Sequence, residues 1–247
     1  MGKLGCFACM RRETKDNFFR HWPALYNRGM HQVPSPNTRS RLARGAVQAL
    51  LLAAIMFASL GGYLLILKWR GPSAAILTWI PADDWLPFWP EWVWVYLIPY
   101  AIGPILAGMM SRSTFWWYIR SGLVTVVVTL VIFMLVPTHT DPDARTEVQK
   151  VATGLTAEVL ANMTKIDDPP ANAAPSLHVS LTCLLLLAML RDFPRWWPVW
   201  VGFVGLVWLS TLVTRQHHLI DVATGALLAA VVVWLVGWKK VLAPPAH

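Results

Sequence analysis

The chain has 247 residues, 56% of them hydrophobic, with 15 Trp and only 14% charged. That is too apolar for an ordinary soluble domain and identifies a polytopic membrane protein. The formal net charge of +8 reads as a topology signal, with some attraction to anionic lipid, and argues against nucleic acid as a partner.

Residues 1–44 form a basic lead-in. Phe18, Phe19, Trp22, Leu25 and Tyr26 are spaced to make one apolar helical face in the headgroup region. From about residue 31 a disordered tail is the alternative, because Pro34, Ser35, Pro36 and Asn37 break any helix. Cys6 and Cys9 form a Cys-x-x-Cys, with His21 and His31 as hypothetical partners, but no second ligand pair follows at zinc-site spacing, so no metal is expected. These first residues contain no apolar core of the kind a cleavable signal needs.

Six apolar runs follow, at 45 to 68, 91 to 110, 114 to 137, 176 to 190, 196 to 213 and 219 to 238, the fourth being short. About 20 residues cross the hydrocarbon, and continuous runs without alternation are helices rather than barrel strands. The expected fold is therefore all-α, with six transmembrane helices. Trp79, Trp85 and Trp89, among prolines between the first two runs, read as an interfacial belt. The loop 138–175 is the only sizeable segment on its side. Asp141-Pro142 looks like a helix start, and Val148, Val151, Leu155, Val159 and Met163 recur at helical steps. An amphipathic helix of about five turns is expected there, either as a structural cover or as a lid that touches substrate. Cys183 reads as packing.

Orientation comes from Lys and Arg. With the amino terminus inside, fifteen fall on the cytoplasmic side, nine of them before residue 45, against six outside. Both termini, including the tail 239–247, are then cytoplasmic, and residues 45–238 make one six-helix domain. Two polar islands, Pro175-Ser176-Leu177-His178 and Thr214 to Asp221, fall on the non-cytoplasmic side at the mouths of membrane runs. Titratable groups at such depth are expensive and are read as functional.

In the second island, a helix begun by residue 217 would put His217 and Asp221 on one face. Asp221 could then hold one imidazole nitrogen and leave the other as base or nucleophile. Arg215 could clamp an anionic oxygen. His218, about 100 degrees around the helix, reads as a bystander. In the first island, Ser176 is an N-cap, the free amides of Leu177 and His178 can face an anion, and His178 is a candidate general acid. A nucleophile, its orienting acid, an anion clamp and a proton donor suit phosphoryl transfer. A metal held by His178, His217, His218 and Asp221 is the minority alternative.

At this point the sequence resembles the type-2 phosphatidic acid phosphatase superfamily, whose middle motif Pro-Ser-x-His is met by Pro175, Ser176 and His178. Its last motif, Ser-Arg, five residues, His, three residues, Asp, is matched by Ser210, His217 and Asp221, with Thr211 at the arginine position. Arg215, two residues before the histidine, is similar to the branch containing inositol phosphorylceramide synthases. The first motif, Lys, six residues, Arg-Pro, is absent. Val136-Pro137-Thr138-His139 stands in its place, so His139 would bind phosphate, with Arg145 or Lys150 as compensating cations.

The resemblance implies a six-helix, cofactor-free membrane phosphatase or phosphotransferase acting on a phospholipid or lipid phosphate. His217 would form a phosphohistidine, oriented by Asp221. His178 would protonate the leaving group and then activate water or a lipid alcohol, while Ser176, the Leu177 amide and Arg215 hold phosphoryl oxygens. A catalytically inactive lipid-binding scaffold is the competing expectation. A proton-coupled transporter ranks behind both, because the spans carry few deep polar groups.

Overall fold

The computed structural model describes residues 38–70, 76–140, 150–166 and 172–237. The chain divides into two units, 1–41 and 42–247, and the second carries the helical bundle. The aromatic face at 18–26, Cys6, Cys9, His21, His31, Arg145 and the tail 239–247 lie outside the described residues.

The helices are α1 (Thr38–Arg70), α2 (Val93–Met109), α3 (Arg112–Leu135), α4 (Gly154–Ile166), α5 (Leu177–Asp192), α6 (Trp197–Val213) and α7 (Leu219–Val236). Short 3-10 turns stand at Pro81–Trp85, Pro90–Trp92 and Pro194–Trp196. The protein is a mostly helical, polytopic membrane protein. Among the described residues, five segments are long and apolar enough to span: Thr38–Trp69, Pro90–Met109, Arg112–Leu135, Pro194–Val213 and Leu219–Val236. The expected count of six meets its exception at α5. Its 16 residues rise only about 24 Å at 1.5 Å per residue, short of the ~30 Å hydrocarbon.

Lipid is the solvent that explains the surface. Phe57 is 75% exposed and Trp234 78%, with Leu50, Leu65, Leu227 and Leu235 also outward. Monomeric soluble proteins rarely expose so many large apolar side chains. Polar side chains instead turn inward, with Thr114, Ser121, Thr125 and Thr129 of α3 all buried. Thr125 donates back to the Ser121 carbonyl at 2.9 Å, which satisfies its hydroxyl without water.

Small residues let the helices approach. A methyl on Gly45 of α1 would stand 2.8 Å from the Gly108 carbonyl oxygen of α2, so backbone meets backbone there. Beneath this crossing one apolar cluster joins Leu52, Leu106, Met110, Phe115, Leu184 and Met189. The end of α5 closes the start of α3, because Asp192 accepts from the Ser111 amide at 2.6 Å and the Thr114 hydroxyl at 2.6 Å. A carboxylate at a helix N-terminus also meets its dipole favourably.

At the opposite end the chain builds a platform. Strands β1 (Ile76–Leu77) and β2 (Thr138–His139) pair in parallel, Ile76 opposite Thr138 and Leu77 opposite His139. Two-residue strands leave no periodicity to read, and the all-α expectation did not include them. Of the expected loop helix, Asp141, Pro142 and Val148 lie outside the described residues, and the described part is broken at 152–153 before α4. That helix starts at Gly154, whose φ of 57° breaks the chain direction, and Val151 and Leu155 stay outside, each 62% exposed. Leu160, Val159 and Met163 form its inner face, packed with Val93, Phe88 and Leu97. The helix thus sits on the first turn of α2, where Trp94 also donates to Thr156 at 3.2 Å.

Candidate active site

Two helix starts and one short loop meet at the platform end. At α5, Ser176 is the N-cap, its Oγ accepting from the Val179 amide at 3.4 Å. Its own amide donates to the Asp221 carbonyl at 3.1 Å, which joins the first island to the second. Ser180, one turn on, donates to the Gly225 carbonyl at 2.8 Å. Position 225 must be glycine for this, since a methyl there would lie 2.6 Å from the Ser176 carbonyl oxygen.

At α7 the geometry differs from a shared helical face. The helix starts at Leu219, with His218 extended as its N-cap, so His217 lies outside it. Asp221 reaches back instead. Its Oδ2 accepts from the His218 amide at 2.8 Å and stands 3.4 Å from His217 Nδ1. The four-residue spacing is therefore closed by a helix cap. His217 is partly open, its side chain 13% exposed, and its amide and that of Gln216 both donate to the Thr211 carbonyl.

The imidazoles of His178 and His217 stand close together, their centroids 6.4 Å apart and their planes tilted by 54°. His178 Nε2, His217 Nδ1 and Asp221 Oδ1 are buried without a hydrogen-bond partner among the described residues. Thr140 Oγ1 and Asn172 Nδ2 are in the same state. Buried polar atoms left open are costly, and those of His178, His217 and Asp221 lie together, which marks a place where a ligand or water completes the network.

The expected phosphate ligands are distributed unevenly. Ser176 and Leu177 stand at the α5 N-terminus beside His178. His139 reaches the same neighbourhood through its neighbour Thr138, whose Oγ1 accepts from the Ala174 amide at 2.8 Å and whose carbonyl accepts from Ala173. Its own Nδ1 lies 2.9 Å from the Thr140 carbonyl. Arg215 departs from the free clamp that spacing suggested. Its guanidinium donates to the carbonyls of Asp83 at 2.6 Å and Leu86 at 3.1 Å, committing two of five donors. Its φ of 55° is unusual for a non-glycine residue, and those two bonds hold the turn in that conformation.

Several residues here escaped the sequence reading. Asp83 is only 1% exposed. Its Oδ1 accepts from the Leu219 amide and its Oδ2 from the Ile80 amide, each at 2.9 Å. It therefore caps α7 from a distant loop, and nothing in Pro81-Ala-Asp-Asp announces a partner 136 residues on. Thr78 meets His218 Nδ1 at 3.0 Å. His218, read as a bystander, is a buried connector. Burial holds its imidazole below the ordinary range despite nearby Asp221 and Asp83. Tyr96 stacks on His178 at 4.1 Å and Tyr100 packs against it in a T-shape at 5.1 Å. Their four-residue spacing was a legible signal, since it puts both rings on one face of α2.

Comparison with known proteins places this geometry. Over 60 residues the chain is 35% identical to an inositol phosphorylceramide synthase of Candida albicans, a match covering 24% of this chain and 13% of that protein. The chain thus spans well under two thirds of that relative's length. No solved structure matches it. The sequence pattern of the PAP2 superfamily matches residues 65–235, most of the chain and the whole of the site just described, and the protein belongs to that superfamily.

Proposed function

We propose that the protein is a metal-independent lipid phosphatase or phosphotransferase working through a phosphohistidine at the non-cytoplasmic membrane face, with both termini cytoplasmic and residues 45–238 as the working domain. The observation that carries this reading is the pair of imidazoles 6.4 Å apart, one of them backed by Asp221.

With Nδ1 of His217 turned to Asp221, Nε2 is the nucleophile. It attacks phosphorus, a P–N bond forms, and the P–O bond to the leaving alkoxide breaks. Protonated His178 gives its proton to that alkoxide, leaving neutral imidazole. In the second half, His178 takes the proton of an incoming water or lipid alcohol as its oxygen attacks phosphorus, and the P–N bond breaks. Asp221 stabilises the positive charge His217 gains. The Ser176 hydroxyl, the Leu177 amide, His139 and the remaining donors of Arg215 hold the phosphoryl oxygens.

The test is a labelled phosphoenzyme. Purified protein mixed with radiolabelled lipid phosphate or phospholipid should form an acid-labile, base-stable adduct that maps to residue 217 and vanishes in His217→Ala. Full turnover by His217→Ala would sink the assignment. One observation favours the inactive scaffold instead, the commitment of Arg215 to two carbonyls, and an adduct absent across a broad lipid panel would select it.

A further inference from the structure

His178 is held by more than its own helix. Tyr96 lies nearly parallel to its ring, 4.1 Å between centroids and 22° between planes, while Tyr100 packs against it in a T-shape at 5.1 Å and 71°. Tyr96 is itself only 9% exposed, so it cannot swing away without opening the packing of α2. An imidazole has free rotation about its outer side-chain torsion unless neighbours fix it. Two rings, one stacked on its face and one packed against it in a T-shape, remove that freedom. The face contact adds a chemical bias, because an aromatic face attracts the cationic form of a ring laid on it.

We propose that Tyr96 and Tyr100 are positioning residues for proton transfer, clamping the His178 imidazole in the plane that serves the leaving group beside His217. The inference rests on the reading of His178 as the general acid and adds the device that aims it. Tyr96 acts through its ring face, so phenylalanine preserves the function and an aliphatic residue does not. Tyr100, 46% exposed, supplies the weaker lateral stop.

Leaving-group dependence tests it. A general acid matters for a basic alkoxide and little for a nitrophenolate, which departs unprotonated. Diacylglycerol release from dioctanoyl phosphatidic acid or dioctanoyl phosphatidylinositol is compared with nitrophenolate release from nitrophenyl phosphate. Reading the leaving group counts hydrolysis and transfer alike. Tyr96→Leu should lose about tenfold or more on the lipid donors and stay within about twofold on the nitrophenyl ester. Tyr96→Phe should match the wild type on both, and Tyr100→Leu should show a smaller loss of the same pattern. Melting in detergent confirms that each variant folds. Wild-type lipid turnover by Tyr96→Leu overturns the proposal, as does an equal loss on both substrates, which would mark a merely structural role. A wild-type protein that releases neither leaving group refutes the catalytic reading, and this inference with it.

Discussion

Gly225 is where packing and chemistry meet most closely, and adding one methyl there is a calculable perturbation. The new carbon would stand 2.6 Å from the Ser176 carbonyl oxygen, 3.3 Å from its nitrogen and 3.1 Å from Val179 Cβ. Ordinary contact begins near 3.4 Å, so α5 and α7 must part by about 0.8 Å, and a close-packed interior offers no slack for that. Backbone atoms and a β-branched carbon cannot rotate aside. Overpacking of this kind costs about 1–3 kcal/mol, and stretching the bond from Ser180 to the Gly225 carbonyl adds about 1 kcal/mol. The same displacement lengthens the link from the Ser176 amide to Asp221 and shifts His178 relative to His217. A misplacement of about 1 Å can cost a hundredfold in rate. Gly225→Ala should therefore melt several degrees lower in detergent and form phosphoenzyme about ten to a hundred times more slowly. Gly205→Ala, where a methyl meets nothing within 4 Å, is the control and should leave both unchanged. Wild-type melting and wild-type phosphorylation in Gly225→Ala would refute the claim that this contact sets the register of the two helices.

Other expectations concern the frame. Asp83→Ala strands the Ile80 and Leu219 amides, so it should lose about 2–4 kcal/mol of stability, measured by denaturant titration; a loss near zero would mean water replaces both bonds. Gln48 is 4% exposed with neither amide atom partnered among the described residues. Gln48→Leu should therefore raise the melting temperature, and a clear drop would reveal a partner for that amide. His218 resists protonation in the folded state, its pKa lying below the ordinary 6.5, whereas the unfolded chain takes up a proton near that value. Stability is thus fully present above the unfolded pKa and falls as pH drops below it. Wild-type melting should decline between about pH 7 and pH 5, and His218→Asn should decline less; parallel curves would show that another group carries the loss.

How much of this was visible beforehand depends on the range of the interaction. Helices α2, α3, α6 and α7 were legible because an apolar run of about 20 residues has one meaning in a membrane. His178, His217, Ser176 and Asp221 stood out because polar groups are rare there. The spacing of His217 and Asp221 suggests a shared helical face, whereas the helix begins two residues later and a cap makes the contact. A four-residue interval does not distinguish these two geometries. Asp83 and Thr78 were opaque, since their partners lie 136 and 140 residues away and only folding brings them near. The strand pair at 76–77 and 138–139 was opaque for another reason: two residues carry no period.

Arg215 shows how a residue chosen for its charge can be fixed by its neutral bonds. Spacing alone offers it to an anion, but a flexible arginine in a loop would lose side-chain freedom of about 2 kcal/mol on binding one. Here two carbonyls, from Asp83 and Leu86, already hold the guanidinium, so that cost falls on folding. The same Asp83 caps α7 through its carboxylate, which ties the cation, the helix start and the His217 turn to one residue of the 81–85 turn. A cation fixed in this way contributes less reach than a free one and more preorganisation. The turn that carries it, at a positive φ, is the conformational cost of that arrangement, and strain of this kind collects at functional sites.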